Sequence, residues 1–148
     1  MRTPLLSALL FLHVLFAAAW LGAALWMPGD VRRTLARGRP WVDALAARAA
    51  PALGLDLGAG VGTIVTGLAV WGVEGFGHRT GIELGLAASL ARVILTVVAI
   101  RPAWAAVQAA VAGTGDLVAA DGPARRLGML AGIAHTLWLV ALAGMIFG

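Results

Sequence analysis

Three histidines, His13, His78 and His135, are the only imidazoles in the chain, and no cysteine is present to offer a thiolate. Any nitrogen ligation of a transition metal therefore falls to these three. His13 and His135 stand inside long apolar runs, where an ionisable side chain requires a partner or a purpose. Counted from the expected ends of those runs, they lie roughly 13 and 18 Å from the same membrane surface. Their neighbours are alike. His13, Ala17 and Trp20 share a helical face with Ala24, and Gly128, Ala131, Gly132 and His135 form a stripe with Trp138 one turn beyond. Small residues beside an imidazole leave a flat surface for a porphyrin, and a tryptophan can wall it. Two imidazoles facing each other from adjacent helices are thus the expected axial ligands of one haem b, with Trp20 and Trp138 against the ring. The plainer alternative is that each imidazole satisfies a backbone carbonyl or a threonine such as Thr96 or Thr136. His78, in 76-FGHRTG-81, reads as a solvated loop residue, with ligation of a second haem as the alternative.

Copper is the competing occupant of the same residues, because Met27, Met129 and Met145 offer thioethers suited to Cu(I). Their expected depths do not converge on the histidines, which places copper second to haem. Two further ionisable residues are buried in apolar sequence, Asp56 and Arg92, at similar depths near the other surface. An ion pair between them is the simplest arrangement. Otherwise Arg92 snorkels to the interface while Asp56 caps a helix, or Arg92 binds an anionic group such as a haem propionate, a lipid headgroup or a quinone oxygen. No Ser/His/Asp set, phosphate-binding loop or metal-hydrolase motif is visible, so catalytic residues are not assigned and a membrane oxidoreductase is the one enzyme class left open.

The elements that must carry these residues follow from composition. Of 148 residues, 61% are hydrophobic and only 12% charged, with a mean hydropathy of +0.92. Soluble domains carry about twice that charge, so this composition excludes a disordered chain, a disulfide scaffold and nearly any water-soluble domain. Four runs reach the spanning length of roughly 20 residues, at about 4–27, 51–73, 81–100 and 127–147. In lipid, runs of this kind are helices. An all-α integral membrane four-helix bundle is expected, a single domain over 1–148 in the bacterial inner (cytoplasmic) membrane. The first run resembles a signal peptide at Arg2 and Ala17-Ala18-Ala19, but its apolar stretch continues through Trp26 and favours a retained helix.

The formal charge of +4 comes from arginine alone, since lysine is absent. Arg32, Arg33, Arg37, Arg39 and Arg48 lie in the first connection, and Arg101, Arg125 and Arg126 in the third, against Arg2 and Arg79 on the opposite side. This asymmetry marks a cytoplasmic side and sends both termini to the outer (periplasmic) side, and it accounts for the basic charge without nucleic acid. Segment 28–50 reads as an interfacial helix, and 113–122 as a flexible turn. On the second run, Gly54, Gly58, Gly62 and Thr66 form one small-residue ridge and Ala59, Gly60, Thr63 and Gly67 another, either of which admits a close helix or a flat cofactor.

The stretch 12-LHVLFAAAWLGAALWMPGDVRR-33 resembles the opening helix of a family of small four-helix membrane proteins that includes the HemJ-type protoporphyrinogen oxidases and the CopD-like copper-resistance domains. The shared pattern is a leucine-histidine pair, Leu12-His13, a tryptophan seven residues on, Trp20, and small residues at Gly22 and Ala23. The resemblance implies that His13 ligates haem. The chain has no lysine and reads 125-RRLGMLAGIAHTLWLV-140 where the HemJ group carries Asn-Glu-x-Pro, so the likeness is nearer to the CopD-like relatives. The expectation from sequence is a haem b protein with electron-transfer or redox function, with membrane lipid around it and a quinone or redox protein as partner. The alternatives are copper handling, or a structural accessory subunit in a homo-oligomer or larger membrane complex.

Overall fold

The computed structural model describes residues 3–112 and 117–147. Among them are six α-helices and no strand: α1 (Pro4–Leu25), α2 (Met27–Arg37), α3 (Leu45–Val73), α4 (Thr80–Leu95), α5 (Arg101–Ala112) and α6 (Asp121–Phe147). Short 3-10 turns at Trp41–Ala44 and Leu117–Ala120 lead into α3 and α6, and a π-helical turn at Thr96–Ile100 joins α4 to α5. Four continuous helical segments, Pro4–Arg37, Trp41–Val73, Thr80–Ala112 and Leu117–Phe147, are long and apolar enough to cross a membrane. Phe11, Val14, Val65, Ile94, Val98 and Leu139 remain exposed on their flanks, as side chains facing lipid would.

Several boundaries differ from those the sequence suggested, each for a local reason. The second span begins at Leu45, and Pro51 lies inside α3 rather than opening it. The expected interfacial segment 28–50 is accordingly divided: α2 is its amphipathic helix, burying Met27, Val31 and Thr34 and turning its arginines outward, and 45–50 belongs to α3. Gly38, with φ +73°, then ends that helix in a conformation open mainly to glycine. Arg48 fastens α2 to α3 by donating to Asp30 at 3.3 Å and to Thr34 at 3.1 Å. The third span does not stop at Ile100. It passes through the π turn, where the Arg101 N–H reaches back to the Thr96 carbonyl, and continues to Ala112. Pro102 lacks the N–H that would close the regular ladder there, so the widened turn is where the chain accommodates it. The fourth span starts at Asp121. Of the expected flexible turn 113–122, residues 113–116 lie outside the described residues, and the remainder is helical.

The packing order also differs from a simple ring in which the first and fourth spans are close neighbours. α1 lies along α3 and α4 lies along α6, giving two tightly packed pairs. In the first pair, side chains of α1 sit on glycines of α3: Trp20 on Gly60, Phe16 on Gly62 and His13 on Gly67. His13 and Trp20 are seven residues apart, as are Gly60 and Gly67, so the antiparallel helices stay in register over two turns. In the second pair the backbones themselves meet, with Gly144 against the Gly81 carbonyl and Gly85 against that of Ala141. Gly54 and Gly58 face open space, so of the first small-residue ridge only Gly62 and Thr66 meet α1. The main apolar core fills the arginine-rich end of the bundle, where Leu45, Val107 and Leu127 are fully buried together with Val31, Ile100 and Trp104.

These contacts predict opposite signs for two similar substitutions. Gly144→Val forces α4 and α6 apart and is expected to cost about 1–3 kcal/mol. Gly58→Ala, entering open space, is expected to stabilise by about 0.5–1 kcal/mol. Thermal unfolding in mild detergent measures both.

Candidate functional site

Two levels of polar residues lie between the helices. The deeper one is built on Arg92, which is fully buried. Its Nη2 donates to Asp56 Oδ1 at 2.9 Å and to the Trp20 carbonyl at 3.2 Å. Thr96 donates to the other carboxylate oxygen, Asp56 Oδ2, at 3.1 Å. The guanidinium carbon stands 4.1 Å from the centroid of the Trp20 ring, a cation–π contact in a desolvated setting. Asp56 and Arg92 therefore pair across the two helix pairs, and Trp20 serves as the platform for Arg92. His135 lies within electrostatic range of Asp56, while its Nε2 is buried with no hydrogen-bond partner among the described residues.

The second level is nearer the end at which α1 begins and α6 finishes. There a cavity of about 220 Å³ is lined by His13, Thr63, Gly67, Trp71, Ser89 and Met145, among other residues. Glu74 stands in its wall and is paired with Arg79 at 3.0 Å. The orientation of His13 is fixed by α3. Its Nδ1 lies 3.0 Å from the Thr63 carbonyl and 3.1 Å from Thr66 Oγ1. A carbonyl oxygen only accepts, and the Thr66 hydroxyl is engaged as donor to Gly62 O at 2.7 Å. In the neutral ring Nδ1 therefore carries the proton and donates it to both, leaving Nε2 as a bare lone pair. That lone pair faces the thioether of Met145, with 3.4 Å between Nε2 and Sδ. Two electron-pair donors thus point at one another across a space with no hydrogen between them.

The structure does not bring His13 and His135 together. His13 is level with Thr63, Thr66 and Met145, whereas His135 is level with Asp56. Met145 and His135 are ten residues apart on α6, about 15 Å, and Thr63 and Asp56 are seven apart on α3, about 10 Å. The matched depths expected from sequence assumed helices with flush ends. In fact α1 extends past α6, so that its tenth residue meets a residue two short of the end of α6. Trp138 is half-buried on α6 and does not line the cavity around His13. His78 is exposed in its loop and bonds Glu83. Met145, which seemed too far from the histidines, is the side chain that meets one. Thr63 was visible only as part of the small-residue face with Gly67, and Ser89 was not singled out at all, since nothing in its local sequence marks it.

Among the described residues, no three His, Asp or Glu side chains gather as a metal-binding group. No family model, curated protein or solved structure matches the chain.

The deeper level yields a double-substitution test. Asp56→Leu alone strands the guanidinium, and Arg92→Met alone strands the carboxylate; each is expected to cost about 3–5 kcal/mol. The double variant is expected to recover most of that loss, as read from thermal unfolding of the four proteins side by side.

Proposed function

We propose that this chain is a multi-pass membrane protein that handles a soft metal ion, Cu(I), at His13 and Met145. The observation that carries this reading is the bare Nε2 lone pair of His13 facing the Met145 thioether at 3.4 Å, with Nδ1–H already committed to α3. Neutral imidazole and thioether are the ligand types Cu(I) accepts, and a hydrogen-bonded second nitrogen is the usual support of a metal-binding histidine. At that separation His13 Nε2 and Met145 Sδ would be close enough to hold one ion together. The remaining positions would be free for groups that deliver or remove the ion, which suits transfer better than permanent storage. The Thr63 carbonyl and Thr66 hydroxyl hold the ring, and most of the cavity beside it is lined by apolar side chains.

Haem is the second reading, favoured by the apolar cavity beside His13 and its glycine wall at Gly67. The fit is poorer. A single haem between His13 and His135 requires their ring nitrogens to flank one iron, and the helical registers separate them by about 10–15 Å. His13 and Met145 as a trans pair would need to stand about 4.3 Å apart, more than is observed. The cavity, at about 220 Å³, is also smaller than the usual range for sites of large cofactors.

The test is metal analysis of the purified full chain after anaerobic loading with Cu(I), alongside an absorption spectrum of protein from haem-replete cells. A single copper per chain is expected, lost in His13→Ala and weakened at least tenfold in Met145→Leu, but retained in His135→Ala. Copper binding unaffected by His13→Ala, or a b-type spectrum requiring both His13 and His135, would overturn it.

A further inference from the structure

A second concavity lies at the opposite, arginine-rich end, away from His13. It is a groove of about 460 Å³ between α2 and the start of α6, and its walls include Arg32, Leu35, Leu117, Val118, Asp121 and Arg125. Four other arginines between the start of α2 and the start of α3 are engaged: Arg33 with the Gly29 carbonyl, Arg37 over the Trp41 ring, Arg39 with Asp43 and Arg48 with Asp30. Arg32 and Arg125 have no ion pair or hydrogen bond from their side chains among the described residues, and both are exposed. Arg101 and Arg126 also lack such a partner but do not line the groove. Two unengaged guanidinium groups thus share one groove with aliphatic side chains. With Asp121 in the wall, the charged residues lining it among the described residues leave a net single positive charge.

The groove sits where the apolar spans give way to the arginine-rich connections, and α2 beside it is amphipathic, with Val31 and Met27 inward and arginines outward. In a membrane crossed by these four segments, this end of the bundle stands at the level of the lipid phosphates. We infer that the groove is a binding site for one anionic phospholipid, whose phosphodiester is held by Arg32 and Arg125 and whose acyl chain lies on Leu35, Leu117 and Val118. The charge balance matches a single phosphodiester, and the mixed walls match a molecule that is ionic at one end and apolar at the other. The site is independent of the metal reading, since it shares no residue with the His13 cavity.

Native mass spectrometry of the delipidated full chain, offered phosphatidylglycerol or phosphatidylcholine in mixed micelles, tests this directly. One phosphatidylglycerol is expected to be retained in preference to phosphatidylcholine. Arg32→Gln and Arg125→Gln should each weaken it about fivefold and together roughly 25-fold, with salt weakening it further. Arg126→Gln, outside the groove, should leave retention nearly unchanged, and Asp121→Asn should tighten it. Circular dichroism verifies that these surface variants keep their helices. Equal retention of the two lipids, an equal loss in Arg126→Gln, or displacement of the lipid by inorganic phosphate at matching concentration would overturn the assignment.

Discussion

The pair formed by Asp56 and Arg92 is the constraint on which the rest of the bundle depends. Lipid supplies no hydrophobic force to hold one apolar helix against another, so the two helix pairs require specific contacts to fix how they sit together. A guanidinium and a carboxylate in a desolvated interior cannot slide past each other, because any displacement strands a charge. Thr96 and the Trp20 carbonyl add directional bonds, and the Trp20 ring covers the cation. The π turn that begins at Thr96 lies beside this pair and leads into the continuation of the third span. The cost of placing two ions at this depth is offset by a single register between the pairs.

That register decides what meets His13. Trp20 on Gly60 and His13 on Gly67 tie α1 to α3, and Gly144 on Gly81 ties α6 to α4. Once Asp56 and Arg92 join the two pairs, Met145 is the α6 residue that arrives opposite His13. The cavity there exists because the dense core fills only the other end of the bundle, leaving the second and third spans less closely packed toward Trp71 and Ile82. The same polarity leaves room at the arginine-rich end for the groove beside α2, outside the core rather than within it. The interior ion pair, the facing side chains of His13 and Met145 and the surface groove are therefore three consequences of how four apolar helices are keyed together.

Much of this was legible in the sequence where the signal was composition or periodicity. Run length and the low charge of the runs sufficed for four helices able to cross a membrane, and the isolation of Asp56 and Arg92 in apolar sequence made their pairing the simplest of several arrangements, the one the structure shows. The importance of His13 and Trp20 was also visible, although the meaning of their seven-residue spacing was not. It matches Gly60 and Gly67, a relation between two helices that neither displays alone. What sequence could not supply was axial offset between helices. Depth counted from the helix ends presumes flush ends, and an overhang of α1 by about two turns shifted His13 from the level of His135 to that of Met145. The span boundaries near 51 and 100 also fell short, because α3 begins six residues before Pro51 and the third span continues through the π turn into α5.

The central claim is that His13 presents an unprotonated Nε2 to the Met145 thioether. Nitrogen-15 NMR of the full chain with labelled histidine, assigned by His13→Gln, measures the protonation of each ring nitrogen directly. The expected spectrum has the proton on Nδ1 and a bare Nε2 whose resonance moves on addition of Cu(I), while that of His135 stays in place. A proton found on Nε2, with Nδ1 bare, would contradict the claim.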